Sequence, residues 1–265
     1  SWDSASAARS ERRSGDRRAS GGVARNGAFL LRRRAPTHMT EGDGGDDGGP
    51  DGDDELTYAD AGVDIDASEA ATAALIGAVG SDADDDASDY AGLLDIGDRY
   101  LALATDGVGT KLLVAEALGD YSTVGIDCMA MNVNDLVAAG VRPVAFVDYL
   151  AVDEPDERFA EQVGEGLARG ADLADVELVG GETAVMPEVV RGLDLAGTCA
   201  GLAAKDGVFD GRAEPGDALV GWRSSGIHSN GLTLAREAVT RDHAYTDPAP
   251  FDGHDTLGEA LLEPT

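Results

Sequence analysis

Lysine is almost missing from this chain. Only Lys111 and Lys205 occur among 20 basic residues, against 51 acidic ones, and the formal charge is -31. So strong a deficit of cations excludes a broad electrostatic grip on nucleic acid or on anionic lipid, because both polyanions would be repelled. Any phosphate site must therefore be local. Aromatic residues make up 5% of the chain, and the two cysteines, Cys128 and Cys199, match no metal-binding spacing. Two buried free thiols in a reducing interior are the expectation, not a disulfide. No run approaches the roughly 18 apolar residues of a membrane span, and the "GAFLL" of residues 27–31 is too short for a signal-peptide core. Together these absences point to a cytoplasmic protein whose acidic, lysine-poor surface suits a high-salt interior.

What is present divides the chain. Residues 1–38 hold nine arginines and three acids, which reverses the sign of the charge locally. This contrast marks Met39 as the expected natural start and the preceding stretch as an extension, a basic regulatory arm being the alternative. The glycine and aspartate run of residues 40–55 has almost nothing to bury, so 1–55 is expected to be a tail, with structure beginning near Leu56. Beyond it, strands are expected over 99–105, 143–152, 176–181 and 193–204, a strand running into a turn over 217–226, and helices over 125–140, 156–174 and 230–239. The polar connector at 205–214 suggests a boundary between a first domain, 56–206, and the start of a second, 207–265, which is too short to be a complete mixed domain.

Four stretches could carry chemistry. "TDGVGTK" (105–111) ends a strand with Asp106 and continues through Gly107, Val108, Gly109 and Thr110 to Lys111. Backbone N–H groups there could converge on anionic oxygens, Asp106 could hold Mg²⁺, and Lys111 would add a local positive charge; a plain strand-to-helix turn is the simpler alternative. In "GIDCMAMNVNDLVAAG" (125–140), helical spacing sets Asp127, Asn134 and Asp135 on one side and Met129, Val133, Leu136 and Val137 on the other. Asn132 falls off the polar side. A solvated acidic face competes with a site here, but the segment has no lysine, arginine or glutamate to lace such a face. "GGETAVMP" (180–187) places Gly181, Glu182 and Thr183 after a strand, for metal or substrate or as an ordinary turn. "SSGIHSNG" (224–231) offers Ser225, Gly226, His228, Ser229 and Asn230 before a helix, with Asn230 the expected N-cap. His228 could move a proton near neutral pH or simply hold structure.

In this order, and with "DAGVDIDA" (60–67), these motifs resemble the phosphoribosylformylglycinamidine cyclo-ligases, also called aminoimidazole ribonucleotide synthetases. The likeness runs from about residue 58 to 265 and departs at Val185, where many relatives carry Glu, and near Ala59, where lysine is common. Selenophosphate synthetases, thiamine-monophosphate kinases and the hydrogenase-maturation dehydratase share some of the motifs. The resemblance implies a two-domain α/β (α+β) fold, with an N-terminal dimerising sheet domain and an α/β sandwich of which this chain holds only the start. It also implies a homodimer that takes formylglycinamidine ribonucleotide and ATP with Mg²⁺, through an iminophosphate, to aminoimidazole ribonucleotide, ADP and phosphate. Asp106 and Asp135 would then be metal ligands and Asp127 a third carboxylate with a catalytic role. Gly107 to Thr110, Asn132, Asn134, Gly181, Glu182, Thr183, Ser225, Gly226, Ser229 and Asn230 would line the nucleotide and substrate, Lys111 would neutralise phosphate, and His228 would carry a proton. The alternatives are another ATP-dependent enzyme of the superfamily or a dimerising scaffold without activity.

Overall fold

The computed structural model describes residues 56–79, 90–209, 211 and 213–265. The expected tail and the basic stretch lie outside them. The elements are α1 (Ile65–Val79), β1 (Gly92–Asp95), β2 (Arg99–Gly107), α2 (Lys111–Leu118), α3 (Val124–Ala138), β3 (Arg142–Val152), α4 (Glu157–Ala174), β4 (Glu177–Val185), β5 (Leu193–Ala204), α5 (Leu232–Thr240) and α6 (Leu257–Leu262). The strands form one sheet in the order β1-β2-β5-β3-β4, antiparallel except for the β3–β4 pair.

Strand alternation decides which side of that sheet is covered. Along β5, Leu195, Gly197, Cys199, Gly201 and Ala203 are buried, while the residues between them are only partly so. Helix α3 lies over β2 and β5 on the buried side, and α4 packs on α3. The opposite side leaves Leu103, Val147 and Tyr149 exposed. Asp156 caps α4 by accepting from the N–H groups of Arg158 and Phe159, as an N-terminal aspartate should.

Glycines bring α3 and α4 close together. A Cβ on Gly125 would run into the backbone of Leu167 and come within 2.6 Å of Val163 O, and one on Gly170 would meet Met129 Cβ at 2.9 Å. Backbone cannot yield as a flexible side chain can. Gly125→Ala is therefore expected to cost about 3 kcal/mol, at the upper end of overpacking. Gly164→Ala on the open side of α4, where no atom stands within 4 Å, is the control and should be neutral or mildly stabilising. Paired urea melts measure the difference.

Three expectations need correction. Residues 217–226 form no strand; Leu219, Val220 and Trp222 stand almost fully in solvent with no neighbouring strand to bond. β4 does not stop at Gly181 but runs on to Val185, so Glu182 and Thr183 belong to a strand and do not follow one. The residue capping α5 is Gly231, in a left-handed conformation, and not Asn230. Helices α1, α2 and α6 and strand β1 add to the elements expected. Leu232, Leu261 and Leu262 join the same core as α2 and α3, so residues beyond the polar connector pack against the sheet domain's helices.

Candidate functional site

Four positions on three adjacent strands and the sheet edge line up on the covered face. Asp106 pairs with Gly197, Gly197 with Asp148, and Asp148 with Gly181. The glycines make room: a side chain on Gly197 would strike the Phe146 ring, and one on Gly181 would strike the Asp148 carboxylate. Two aspartates thus sit two strands apart beneath α3. Asp148 was not singled out from the sequence, although a lone carboxylate within the apolar "PVAFVDYLAV" was a usable signal.

Helix α3 closes over this row. Asn132 is fully buried, and its Nδ2 donates to Asp106 O at 3.2 Å and to Cys128 O at 2.9 Å. Its Oδ1 is left without a protein partner. Two donated bonds fix the amide's orientation, so the unpaired atom is an acceptor. Asp135, half-buried one turn on, lies near enough to Asp106 to feel its charge: burial and then Asp106 push its carboxyl up to about 6. Burial also raises Asp106, against the Gly107 N–H that donates to its Oδ1 at 2.7 Å, and burial raises Asp148. The Cys128 thiol is pushed far up, first by burial and then by Asp148 and Asp106. It is no nucleophile at neutral pH. Both cysteines are free and buried, as expected.

Because Asp135 has a raised carboxyl, the folded chain holds a proton that the unfolded chain has already released between about 3.8 and about 6. Stability falls as pH rises through that window, and the whole penalty is present above it. Asp135→Asn is therefore expected to stabilise the chain by about 1–2 kcal/mol near pH 8, after allowance for solvent screening, with the gain vanishing below about pH 4. Thermal melts of both proteins across pH would show a constant gap, instead of a closing one, if burial did not act on this group.

The other sequence-singled residues fall in different places. Asp127 is not on the site side of α3: it is fully buried, and Lys111 Nζ lies 2.9 Å from each of its carboxylate oxygens. Lys111 is likewise fully buried and also donates to Glu263 O at 2.6 Å, so its ammonium faces protein and not a cleft. The wheel misplaced Asp127 because the first turns of α3 are buried all round, between the sheet, α2 and α4. Asn134 is exposed, and Val137, assigned to the core side, is 49% exposed. In the turn after β2, the Gly107 N–H bonds its neighbour's side chain and the Val108 N–H bonds Leu195 O at 2.9 Å. Two donors expected to face an anion are thereby occupied. Gly109, with φ +70 and open space beside it, leaves the turn approachable.

Thr110 Oγ1 meets Thr233 Oγ1 at 3.0 Å, which sets the turn against the start of α5 and hence near the serine and histidine loop. There Ser225 Oγ lies 2.8 Å and Ser224 Oγ 3.3 Å from His228 Nε2, while Ser229 Oγ is buried without a protein partner. Gly226 and Asn230 are exposed. Glu182 does not join the aspartates. Its neighbour Gly181 shares their face, so alternation turns Glu182 to the other side of the sheet and returns Thr183 to theirs.

A family model described as AIR synthase related protein, N-terminal domain, matches residues 88–203. A phosphoribosylformylglycinamidine cyclo-ligase of Methanosarcina mazei is 49% identical over 219 residues, which is 79% of this chain and 66% of that protein. The chain belongs to the AIR synthase-related family. A second relative of this AIR synthase-related chain, the cyclo-ligase of Thermococcus kodakarensis, is 51% identical over 222 residues, 79% of this chain and 65% of that one. The chain thus spans about two thirds of the length of these cyclo-ligases. Among solved structures, the thiamine monophosphate kinase of Aquifex aeolicus overlays 53% of this AIR synthase-related chain and 44% of its own, at TM-score 0.41 and 19% identity.

Two of the site's carboxylates could hold one divalent cation together with phosphate oxygens and water. Among the described residues no three His, Cys, Asp or Glu side chains gather closely enough to hold a metal by themselves. Mg²⁺ is usually held by one or two carboxylates plus phosphate oxygens and water, not by an all-protein cage. Asp106 and Asp135, both half-buried and with Asp106 helping to raise the Asp135 carboxyl, match that donor set.

Proposed function

We propose that this chain forms part of a phosphoribosylformylglycinamidine cyclo-ligase, which closes formylglycinamidine ribonucleotide to aminoimidazole ribonucleotide at the expense of ATP. The observation that carries the proposal is the 49–51% identity to cyclo-ligases across 79% of the chain. The half-buried aspartates beneath α3 support it.

In this reading Asp106 and Asp135 hold Mg²⁺ with the phosphates of ATP, and Asp148 extends the acidic floor. Asn132 fixes the end of β2 through the Asp106 carbonyl. Gly109 and Thr110 border the phosphates, and Ser225, His228 and Ser229 receive the ribonucleotide, with His228 as the proton carrier. When bound, ATP and Mg²⁺ supply a phosphoryl group that turns the formyl oxygen into a leaving group. The protein's share is to hold the amidine nitrogen against that carbon, a proximity effect worth about 7–11 kcal/mol in favourable cases. The exposed sheet face with Leu103, Val147 and Tyr149 is covered by a second copy, and Glu182 on that same face approaches the partner. The setting is a salt-rich cytoplasm; among the described residues no helix is long and apolar enough to cross a membrane.

The test incubates the purified protein with formylglycinamidine ribonucleotide, ATP and Mg²⁺. It should form aminoimidazole ribonucleotide, ADP and phosphate in equal amounts, and chelation of the metal should stop all three. ATP turnover that proceeds with another acceptor and leaves formylglycinamidine ribonucleotide intact would assign the chain a different reaction. Sedimentation of the protein and of Tyr149→Glu checks the dimer, since only the wild type should associate.

A further inference from the structure

We infer that Lys111 and Asp127 form a buried brace that positions the Ser225–His228 loop through the segment of residues 262–265, and that Lys111 makes no contact with phosphate. The inference deepens the proposed function, because it concerns the placement of its proton carrier.

Four consecutive residues are each tied down by a different side chain. Leu262 O accepts from Thr123 Oγ1 at 3.0 Å, Glu263 O from Lys111 Nζ at 2.6 Å, and Pro264 O from Ser225 Oγ at 2.8 Å. Thr265 donates to Asp127 Oδ1 through its N–H at 2.9 Å and its hydroxyl at 2.7 Å. This segment leaves α6 with an extended ψ of 121 at Glu263, so its carbonyls find no helical donors and must be satisfied from elsewhere. The Lys111 ammonium at the start of α2 supplies one of them, and the Asp127 carboxylate in α3 takes up both hydrogens of Thr265. Burial draws the ammonium's pKa down, and the carboxylate beside it resists that pull.

Next along the segment stands the loop. Ser225 Oγ donates to Pro264 O and also meets His228 Nε2, so the imidazole is one hydroxyl away from the residue that follows Glu263. His228 has φ +65, a left-handed conformation uncommon for a residue with a side chain. Such a backbone persists only where its surroundings hold it. The supports in view are the Ser225 hydroxyl at 2.8 Å and the Ser224 hydroxyl at 3.3 Å from Nε2 and, behind Ser225, the segment that Lys111 and Asp127 clamp. Gly226 fits closely against the same segment, since a Cβ there would come to 3.1 Å from Glu263 Cβ.

The experiment follows the His228 imidazole by NMR, assigned by comparison with His228→Gln, together with steady-state kinetics. Replacing Lys111 alone would strand the buried carboxylate, so the main variant is Lys111→Met with Asp127→Leu, which removes both charges from the interior. Thr265→Val is the milder companion. The double variant should shift the His228 resonances and lower kcat about tenfold or more, while KM for ATP stays within about twofold. Thr265→Val should shift the same resonances in the same direction by less. Lys205→Met, at the other end of the sheet, should shift none. A tenfold rise in KM for ATP with the His228 signals unmoved would overturn the brace and return Lys111 to the phosphates. Signals and kinetics both unmoved would reduce the pair to a fold contact and overturn it equally. Failure of the cyclo-ligase reading shows up separately: wild type that makes no aimed product sinks that reading, whereas the His228 resonances still decide the brace.

Discussion

Asp106→Asn is expected to lower ATP-dependent turnover by about two to three orders of magnitude, the scale seen when one preorganised charge contact of an active site is lost. Folding should be spared. The substitution keeps the size of the side chain, and its oxygen can still accept from the Gly107 N–H, which now donates at 2.7 Å. Since burial raises the Asp106 carboxyl and so disfavours its charged form, removing the charge should leave the melting temperature unchanged or slightly higher at neutral pH. Loss of turnover with a retained melting temperature places Asp106 at the chemistry. Equal losses of both would make it a structural residue. Titration of Mg²⁺ in the presence of a non-hydrolysable ATP analogue separates the causes further, because the variant should need far more metal for the same nucleotide affinity.

Lys111→Met carries the largest expected stability effect. Both partners of the Lys111–Asp127 pair are fully buried, and removing the cation leaves a carboxylate in a low-dielectric interior with only Thr265 to bond it. Breaking such a pair from one side costs about 3–5 kcal/mol, while replacing both partners by apolar groups of similar volume is often nearly neutral. The single variant should therefore melt roughly 10 °C below wild type in a domain of this size. The double variant, Lys111→Met with Asp127→Leu, should recover most of the deficit. The Lys205–Asp95 pair is the counter-example, because it is 2.6 Å long but its side chains are 42% and 30% exposed. Lys205→Met should change stability by less than about 1 kcal/mol. If the single and double variants melted together, the buried charge of Asp127 would not be the cause.

Much of this layout is written in local pattern. β5 was expected over 193–204 and is found there, a twelve-residue run of mostly apolar and small residues bounded by an Arg-Gly pair and a lysine. α4 ends near its expected limits because an N-cap aspartate opens it and Asp175 in a left-handed conformation closes it. The family motifs suggest Asp106 and Asp135 as ligands of one metal; in the structure burial first and Asp106 second raise the Asp135 carboxyl.

What local pattern could not supply was the third dimension. A helical wheel assigns α3 a wet side and a dry side, but α2, α4 and the sheet enclose its first turns completely, so Asp127 faces inward while the discounted Asn132 reaches the end of β2. Lys111 reads as a phosphate ligand when only its glycine-rich neighbours are in view. Its partners come from positions 16 and 152 residues away, and no short window contains them. β4 was cut short at its glycines, of which Gly181 serves to admit the Asp148 carboxylate and not to turn the chain. Short elements such as β1 and α6 are too brief to show a period.

The bare stretch around Leu219, Val220 and Trp222 has an optical use. The sequence contains two tryptophans, and Trp222 is 94% exposed. Its emission should be red-shifted and readily quenched by iodide, and any strand or partner that settles on residues 217–226 will turn the signal blue and shield it, giving a direct readout of association at that edge.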